Sequence, residues 1–173
     1  MTHSGKFLTP RTPEEVFALL AIPQRFAPLL PHYESMSIED ATHFTVRIEI
    51  AVGQIRGRAS LAMELCENAP HSRVEYRGQS IVAGSQLKLG MRFHIAPAAG
   101  LTDVLWAGDA GFEGGLGFIA ASLADTMGRE SFDLMAQRLQ NVLNGEPASP
   151  SMEMPATDTA RPPDSRSKHS VSF

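Results

Sequence analysis

The sequence predicts an α+β fold in which a curved antiparallel sheet wraps around one long C-terminal helix, with two short helices after the first strand. Two patterns predict it. From Glu34 to Glu113 apolar residues alternate with polar ones, which is typical of strands with one buried face. Beyond Glu113 the apolar residues recur at helical spacing for roughly 28 residues, which indicates a single helix. The residues predicted to lie on its apolar face are Leu116, Ile119, Leu123, Met127, Leu134, Leu139 and Val142.

The chain opens with a short apolar run that predicts the first strand, and a helix start follows it. Thr12 suits an N-cap, Pro13 suits the first helical position, and the two glutamates after it favour the helix dipole. We expect this helix to end near Leu20, because Pro23 breaks it. The segment before Pro31 has room for a second short helix.

The middle of the chain is predicted to be an antiparallel meander. Its strands are joined by connectors of only a few residues, such as VGQ and VAGS. A parallel crossover needs a dozen or more residues, so these connectors can join only antiparallel neighbours. The predicted inward positions include Phe44, Val46, Ile48, Ile50, Leu61, Met63, Val74, Tyr76, Leu87, Leu89, Met91, Phe93, Val104, Trp106 and Phe112.

One helix is too narrow to cover such a sheet. About six or seven strands, spaced about 4.8 Å apart, make a face roughly 30 Å wide, of which a helix covers about 10 Å. Several inward residues are small, and they either let the sheet coil or leave an empty apolar space. The uncovered face favours a ligand cavity. The small inward residues are Gly57, Ala59, Gly78, Ser80, Gly108 and Ala110.

The residues predicted to line this apolar cavity come from the short helices, the inner face of the sheet and the start of the long helix. Tyr76, Trp106 and Ser80 supply the polar groups expected inside, which are enough to orient a ligand and too few to transform one. The ligand-binding candidates are Phe26, Leu29, Leu30, Val46, Ile48, Leu61, Met63, Tyr76, Leu89, Met91, Trp106, Gly108, Leu116, Ile119 and Leu123.

The segment at the start of the long helix resembles a dinucleotide-binding turn. Gly115, Gly117 and Ala120 have the spacing G-x-G-x-x-A. That site also needs a second parallel strand after the helix, with an acidic residue that binds the ribose. Here the helix is the last predicted element, so we interpret Gly114, Gly115 and Gly117 as a sharp joint between the sheet and the helix.

Catalytic and metal chemistry find little support in the sequence. The six histidines show no H-x-H, H-x-x-H or H-x-x-x-H pairing, so no metal site is expected. The alternation places almost every carboxylate of the strands on the outer face, so an inward acid–base pair is not expected either. We therefore expect no catalytic residue, no metal and no covalent cofactor.

The outer face of the predicted sheet is rich in basic residues. An ordinary solvated face explains them, and a docking surface for an acidic protein or an anionic lipid is the alternative. Nucleic acid is not an expected partner, because the net charge is −4 and no aromatic side chains lie between the basic ones. The basic residues are Arg47, Arg56, Arg58, Arg73, Arg77, Lys88 and Arg92.

The chain is predicted to hold one domain, residues 1–144, followed by a disordered tail, residues 145–173, that is rich in proline and serine. The N-terminus has no signal-peptide core, and no apolar run approaches the length of a membrane span. With a single cysteine, these features favour the cytoplasm.

The order of elements resembles the helix-grip fold of the START-like (Bet v 1-like, SRPBCC) superfamily. Local motifs are similar to those of the carbon monoxide dehydrogenase G-subunit family, over about residues 4–143. The matching residues are Pro13, Val16, Phe17 and Leu20 in P-x-x-V-F-x-x-L, Val52, Gly53, Ile55 and Gly57 in V-G-x-I-x-G, Gly84 and Gly90 in a hairpin, Thr102, Val104 and Trp106 in T-x-L-x-W, and Gly114.

This chain departs from the family at two places in the N-terminal helical region and in its tail. Ile22 and Pro23 replace an Asp-Pro pair, and Pro31 and His32 replace a Pro-Gly pair. Some family members end in an apolar or amphipathic segment suited to membrane attachment, whereas this tail is polar. The resemblance therefore does not imply that the tail anchors this protein.

The resemblance implies a non-catalytic accessory protein of a molybdenum hydroxylase such as carbon monoxide dehydrogenase. It implies a bound hydrophobic molecule, an isoprenoid quinone or lipid, and a peripheral contact with the cytoplasmic face of the inner membrane. Two alternatives stay open. One is an adaptor that recruits the oxidoreductase or an assembly ATPase without a ligand, and the other is a cyclase or hydratase of the kind known elsewhere in the superfamily.

Overall fold

The computed structural model of the protein describes residues 2–52, 55–82, 84–114 and 117–145, with side chains described at 2–50, 56–82, 84–114, 125 and 128–145. The predicted tail lies outside the described residues, apart from Gly145. Three of the predicted ligand-binding side chains, Leu116, Ile119 and Leu123, also lie outside the described part.

Seven strands form one antiparallel sheet in the order β1-β7-β6-β5-β4-β3-β2, which confirms the predicted meander. In the part of the chain that the structure describes, no parallel crossover is present to form a dinucleotide site. The sheet curves around the C-terminal helix as predicted. The strands are β1 (Thr2–Thr9), β2 (Tyr33–Ile38), β3 (His43–Val52), β4 (Ile55–Ala69), β5 (Arg73–Val82), β6 (Ser85–Ala98) and β7 (Leu101–Glu113).

The two short helices follow β1 as predicted. They are α1 (Pro13–Ala21) and α2 (Pro23–Phe26), and a 3₁₀ turn, Ala27–Leu29, extends the second. Thr12 caps α1: its hydroxyl accepts from the Glu15 N–H at 3.2 Å, and the Glu15 carboxylate accepts from the Thr12 N–H at 2.9 Å. Such reciprocal capping stabilises a helix by about 1 kcal/mol.

The long helix, α3 (Gly117–Leu143), packs against β7 and β1. Leu139 is buried as predicted, whereas Leu134 and Val142 are only half-buried. The stripe that faces the sheet is turned slightly from the predicted one, so that those two side chains lie at its edges. The buried residues of the described stripe are Phe132, Met135, Ala136, Leu139 and Leu143.

Two arginines fasten the C-terminal half of α3. Arg138 donates to the Leu30 carbonyl at 3.0 Å, and Arg11 donates to the Leu143 carbonyl at 2.9 Å. The second bond also satisfies a carbonyl that the end of the helix would otherwise leave without a partner. This half of the helix is therefore tied both to the short helices and to the segment that follows β1.

Backbone angles explain two features of the sequence. Gly114 has φ of 117°, which confirms that it serves as a joint between β7 and α3, while Gly115 lies outside the described residues. His32, in the turn before β2, has φ of 56°. A left-handed conformation costs a non-glycine residue roughly 1–2 kcal/mol, so this turn is formed at an energetic cost.

Candidate functional site

The inner face of the sheet has a packed end beneath α1 and α2. Phe26 stacks on Tyr76 with ring centroids 4.4 Å apart, and it meets Phe93 edge to face at 5.7 Å. Phe44 completes the aromatic group by meeting Tyr76 edge to face at 5.8 Å. All four rings are essentially inaccessible to solvent. We call this region the packed end.

The Tyr76 hydroxyl belongs to this packing. It donates to the Leu20 carbonyl in α1 at 2.7 Å, and burial raises the pKa of the phenol well above its ordinary value. The sequence predicts that this hydroxyl helps to orient a ligand. In the structure the proton of this hydroxyl joins α1 to the sheet, and contact of Tyr76 with a ligand stays a prediction.

The inner face is less well covered near the β3–β4 turn, the β5–β6 turn and the β7–α3 joint, a region that we call the open end. Its apolar side chains are only half-buried, so part of their apolar surface is accessible to solvent. An added Cβ on Gly57, which lies opposite Ile50, would meet no atom within 4 Å. The half-buried side chains are Ile48, Ile50, Val82, Leu87, Leu89, Ala110 and Phe112.

The sheet is also split at this end. Pairing between β4 and β5 reaches only to Ala62 and Gln79 among the described residues. Beyond these two residues β4 continues to pair with β3, and β5 continues to pair with β6. The two hairpins therefore separate next to the open end, which leaves backbone groups without sheet partners beside half-buried apolar side chains.

The small inward residues differ in what lies opposite them. A Cβ on Gly108 would lie 2.5 Å from the Phe132 ring, and one on Gly78 would lie 2.5 Å from the Met63 sulfur. The expectation of empty space is therefore wrong at these two glycines, because larger side chains already occupy the position. Gly57 fits the expectation, since the space above it is open.

The predicted ligand-binding residues divide between the two ends. Most are part of the hydrophobic core, whereas Ile48 and Leu89 are half-buried at the open end, and contact of any of them with a ligand stays a prediction. Those buried in the core are Phe26, Leu29, Leu30, Val46, Leu61, Met63, Tyr76, Met91 and Trp106.

One ionisable pair lies between α3 and the sheet, where the sequence predicts none. His3 Nε2 lies 3.3 Å from Asp125 Oδ1, and the two side chains are 14% and 30% exposed. That oxygen is buried and has no hydrogen-bond partner among the described residues. The expectation of no inward acid–base pair is therefore wrong for His3 and Asp125, while the outward placement predicted for the carboxylates of the strands does not concern Asp125, which lies on α3.

Two signals in the sequence point to this pair. Asp125 precedes Phe132 by two helical turns, so it falls on the stripe that faces the sheet. His3 alternates with Gly5 and Phe7 on the covered side of β1. Neither signal is used by the sequence prediction, which treats the first strand only as an apolar run and draws the helical stripe through other positions.

Basic residues on the outer face are largely matched by acidic ones. Lys88 pairs with Glu113 at 2.7 Å, and Arg58 pairs with Glu34 at 3.0 Å. Three further pairs on this face are Arg73–Glu67, Arg77–Glu75 and Arg92–Asp109. Because these basic residues are paired with acidic ones, the outer face has little uncompensated positive charge. The arrangement favours an ordinary solvated face, the first of the two interpretations that the sequence allows.

A histidine–aspartate pair also caps the β2–β3 turn on the outside. His43 Nδ1 lies 3.0 Å from Asp40, whose carboxylate also accepts from the Thr42 and His43 backbone N–H groups at 2.8 Å. Backbone hydrogen bonds lower the pKa of Asp40, and Asp40 raises the pKa of His43. No group of three metal-ligating side chains occurs in the part of the chain that the structure describes.

Sequence comparison identifies the family to which this architecture belongs. The family of the carbon monoxide dehydrogenase G subunit (CoxG) matches residues 5–144. The chain belongs to this family. No curated protein is similar enough in sequence to count as a match. The name of the family refers to a subunit of an oxidoreductase, and the matched region includes both the packed and the open end.

Solved structures share the fold at low sequence identity. A conserved protein from Geobacillus kaustophilus aligns with a TM-score of 0.70 at 12% identity over 83% of this chain and 95% of its own. TTHA0849 from Thermus thermophilus aligns at 0.60 and 14%, over 83% and 97%. The ZhuI aromatase/cyclase from Streptomyces sp. R1128 aligns at 0.53 and 16%, over 84% and 92%. These likenesses confirm the helix-grip fold.

Within the described ranges, no helix combines the length and apolarity that a transmembrane span requires.

Proposed function

We propose that this CoxG protein binds an apolar small molecule, an isoprenoid quinone or another lipid, at the open end of its grip. In this role it is a non-catalytic accessory protein of a molybdenum hydroxylase such as carbon monoxide dehydrogenase, and it links that enzyme to the membrane or to the quinone pool. Family membership supports the accessory role, and the open end supports a ligand.

The main support for a ligand is the difference in burial between the packed end and the open end of the inner face. Large apolar side chains such as Leu87 and Phe112 stay half-buried, and the space above Gly57 is open. An apolar molecule that covered these side chains would gain about 25 cal/mol for each Å² removed from water. Apolar concave sites with few polar groups are the usual form of small-molecule sites.

Two glycines provide a matched test. Gly57 lies on the inner face and Gly111 on the outer face, and a Cβ on either would meet no atom within 4 Å. Gly57→Leu should occupy the open end and weaken binding of a decyl-substituted benzoquinone at least tenfold, whereas Gly111→Leu should leave the affinity unchanged. Equal affinities in both variants and the wild type would contradict a site at the open end.

The natural ligand can be sought directly. Organic extraction of the protein purified from its own cells, followed by mass spectrometry, should recover an apolar molecule from the wild type and less of it from Gly57→Leu. If nothing apolar copurifies and the benzoquinone probe does not bind, the carrier function fails.

The adaptor alternative makes the opposite prediction. If the outer face recruits the oxidoreductase, charge reversal at Arg56, Arg58 and Arg73 should abolish a pull-down of the enzyme while Gly57→Leu leaves it intact. The ion pairs of Arg58 and Arg73 with glutamates do not favour this alternative, because they reduce the positive charge available to an acidic partner.

A further inference from the structure

One corner of the outer face carries exposed leucines. It lies where β1 pairs with the first half of β7, on the side of these strands that faces away from α3. Leu8, Leu101 and Leu105 are 51%, 40% and 42% exposed, and Leu8 lies diagonally across from both of the others. Apolar side chains that are exposed next to one another mark interaction surfaces. We call Lys6, Leu8, Leu101, Asp103 and Leu105 the outer corner.

The outer corner holds one positive and one negative charge in surroundings that are mostly apolar. On its inner border, β6 places His94, Ala96 and Ala98 beside β7, while β1 is an edge strand of the described sheet. Basic residues elsewhere on the outer face form ion pairs. Lys6 and Asp103 form no ion pair with any described residue, so both charges are available to a partner.

The register of β1 and β7 arranges four of these residues as a compact block. Lys6 is paired with Leu105, and Leu8 is paired with Asp103. The two charges therefore lie on one diagonal of the block, and the two leucines lie on the other. Paired residues in a sheet are about 5 Å apart and diagonal ones about 7–8 Å, so one partner surface can contact all four side chains at once.

This block is complementary to itself. A two-fold axis that lay in the surface, along the leucine diagonal, would place a second copy face to face with the first. Each of Leu8 and Leu105 would then meet its own counterpart, and Lys6 would lie over Asp103 of the second copy. Two-fold dimers bring the same patch of both copies together, and opposite charges across the contact fix its register.

We propose that the outer corner is the contact surface of a homodimer, in which Lys6 of each copy pairs with Asp103 of the other beside a core of leucines. The contact is smaller than the about 20–30 residues per partner of a standard interface, so we expect a dimer with a micromolar dissociation constant. The corner lies at the start of β7 and the open end at its end, so both open ends stay accessible.

Charge reversal gives a test in which two defects cancel. Lys6→Glu and Asp103→Lys should each weaken the dimer at least tenfold, because each places like charges opposite one another in both halves of the contact. An equimolar mixture of the two variants should form a heterodimer about as tightly as the wild type forms its homodimer, since every pair across that contact then has opposite charges. Sedimentation equilibrium of the full chain, from micromolar to millimolar concentration, measures all three dissociation constants.

Arg77→Glu supplies the matched control, because Arg77 is an exposed base of the outer face on β5, away from the corner. It should leave dimerisation unchanged, whereas Leu105→Ser should weaken it. A wild type that stays monomeric throughout, or a dimer that the corner variants do not weaken, would overturn the proposal. A monomer that floats with anionic phospholipid vesicles, and loses this property in Leu105→Ser, would assign the corner to a lipid surface and equally overturn the dimer. None of these outcomes affects the proposed function, which requires only the open end.

Discussion

The packed end and the open end of the inner face are built from similar residues and differ in what covers them. At the packed end, two short helices and a group of four stacked or edge-to-face rings exclude solvent completely. At the open end, comparable aliphatic and aromatic side chains stay half-buried beside a split in the sheet. The difference in burial indicates that the packed end contributes more to stability than the open end, where we propose that a ligand binds.

The largest expected effect is the loss of stability on truncating the packed end. Phe26→Ala removes a fully buried ring that contacts Tyr76 and Phe93, and it should lower the free energy of unfolding by about 3–5 kcal/mol. Ile48→Ala at the open end should cost about 1–2 kcal/mol, because its side chain is already partly solvated. Urea unfolding of both variants measures the contrast, and equal costs would remove the distinction between the two ends.

A smaller effect should follow from filling the position above Gly108. Gly108→Ala would place a methyl group 2.5 Å from the Phe132 ring and should destabilise the protein by about 1–3 kcal/mol, as overpacking does. Adding Phe132→Leu should recover part of that loss if the clash is its cause. Thermal unfolding of the single and double variants gives the coupling energy between positions 108 and 132. Strictly additive losses of stability would contradict a clash between the added methyl group and the Phe132 ring.

The smallest effect concerns the exposed turn at the outside of the packed end. Asp40 raises the pKa of His43, so the imidazole resonances should titrate above pH 6.5 in the wild type and at lower pH in Asp40→Asn. The contribution of His43 to stability is present below about pH 6.5 and is lost as the pH rises through its raised pKa. That of Asp40 is present above about pH 4 and is lost as the pH falls through its lowered pKa. NMR titration that shows the same histidine pKa in both proteins would contradict the pairing.

Local signals were sufficient for most of the fold. The capping residues before α1, the alternation through the strands and the short connectors each depend on neighbours within a few residues along the chain, and the structure confirms the elements that they predicted. The sequence also predicts the long helix α3. It does not predict which side of α3 faces the sheet, because that side depends on where β7 and β1 lie beneath the helix.

At the candidate site, local sequence patterns are not enough to predict which residues are covered. Small residues are equally compatible with open space and with a neighbour that fills it, and only the position of Phe132 distinguishes Gly108 from Gly57. Likewise, the sequence shows that Tyr76 points inward, but its hydroxyl is bound by a carbonyl in another element.

Local patterns are enough to predict the order and type of the elements, the antiparallel connections and the surplus of apolar sheet face, since these follow from periodicity, capping and connector length. Which end of that face is closed, which glycines are covered, and that His3 meets Asp125 follow only from how distant segments pack together. These outcomes depend on contacts between residues that are far apart in the chain, such as Gly108 with Phe132, or His3 Nε2 with Asp125 Oδ1 at 3.3 Å, and no local pattern encodes the distance between them.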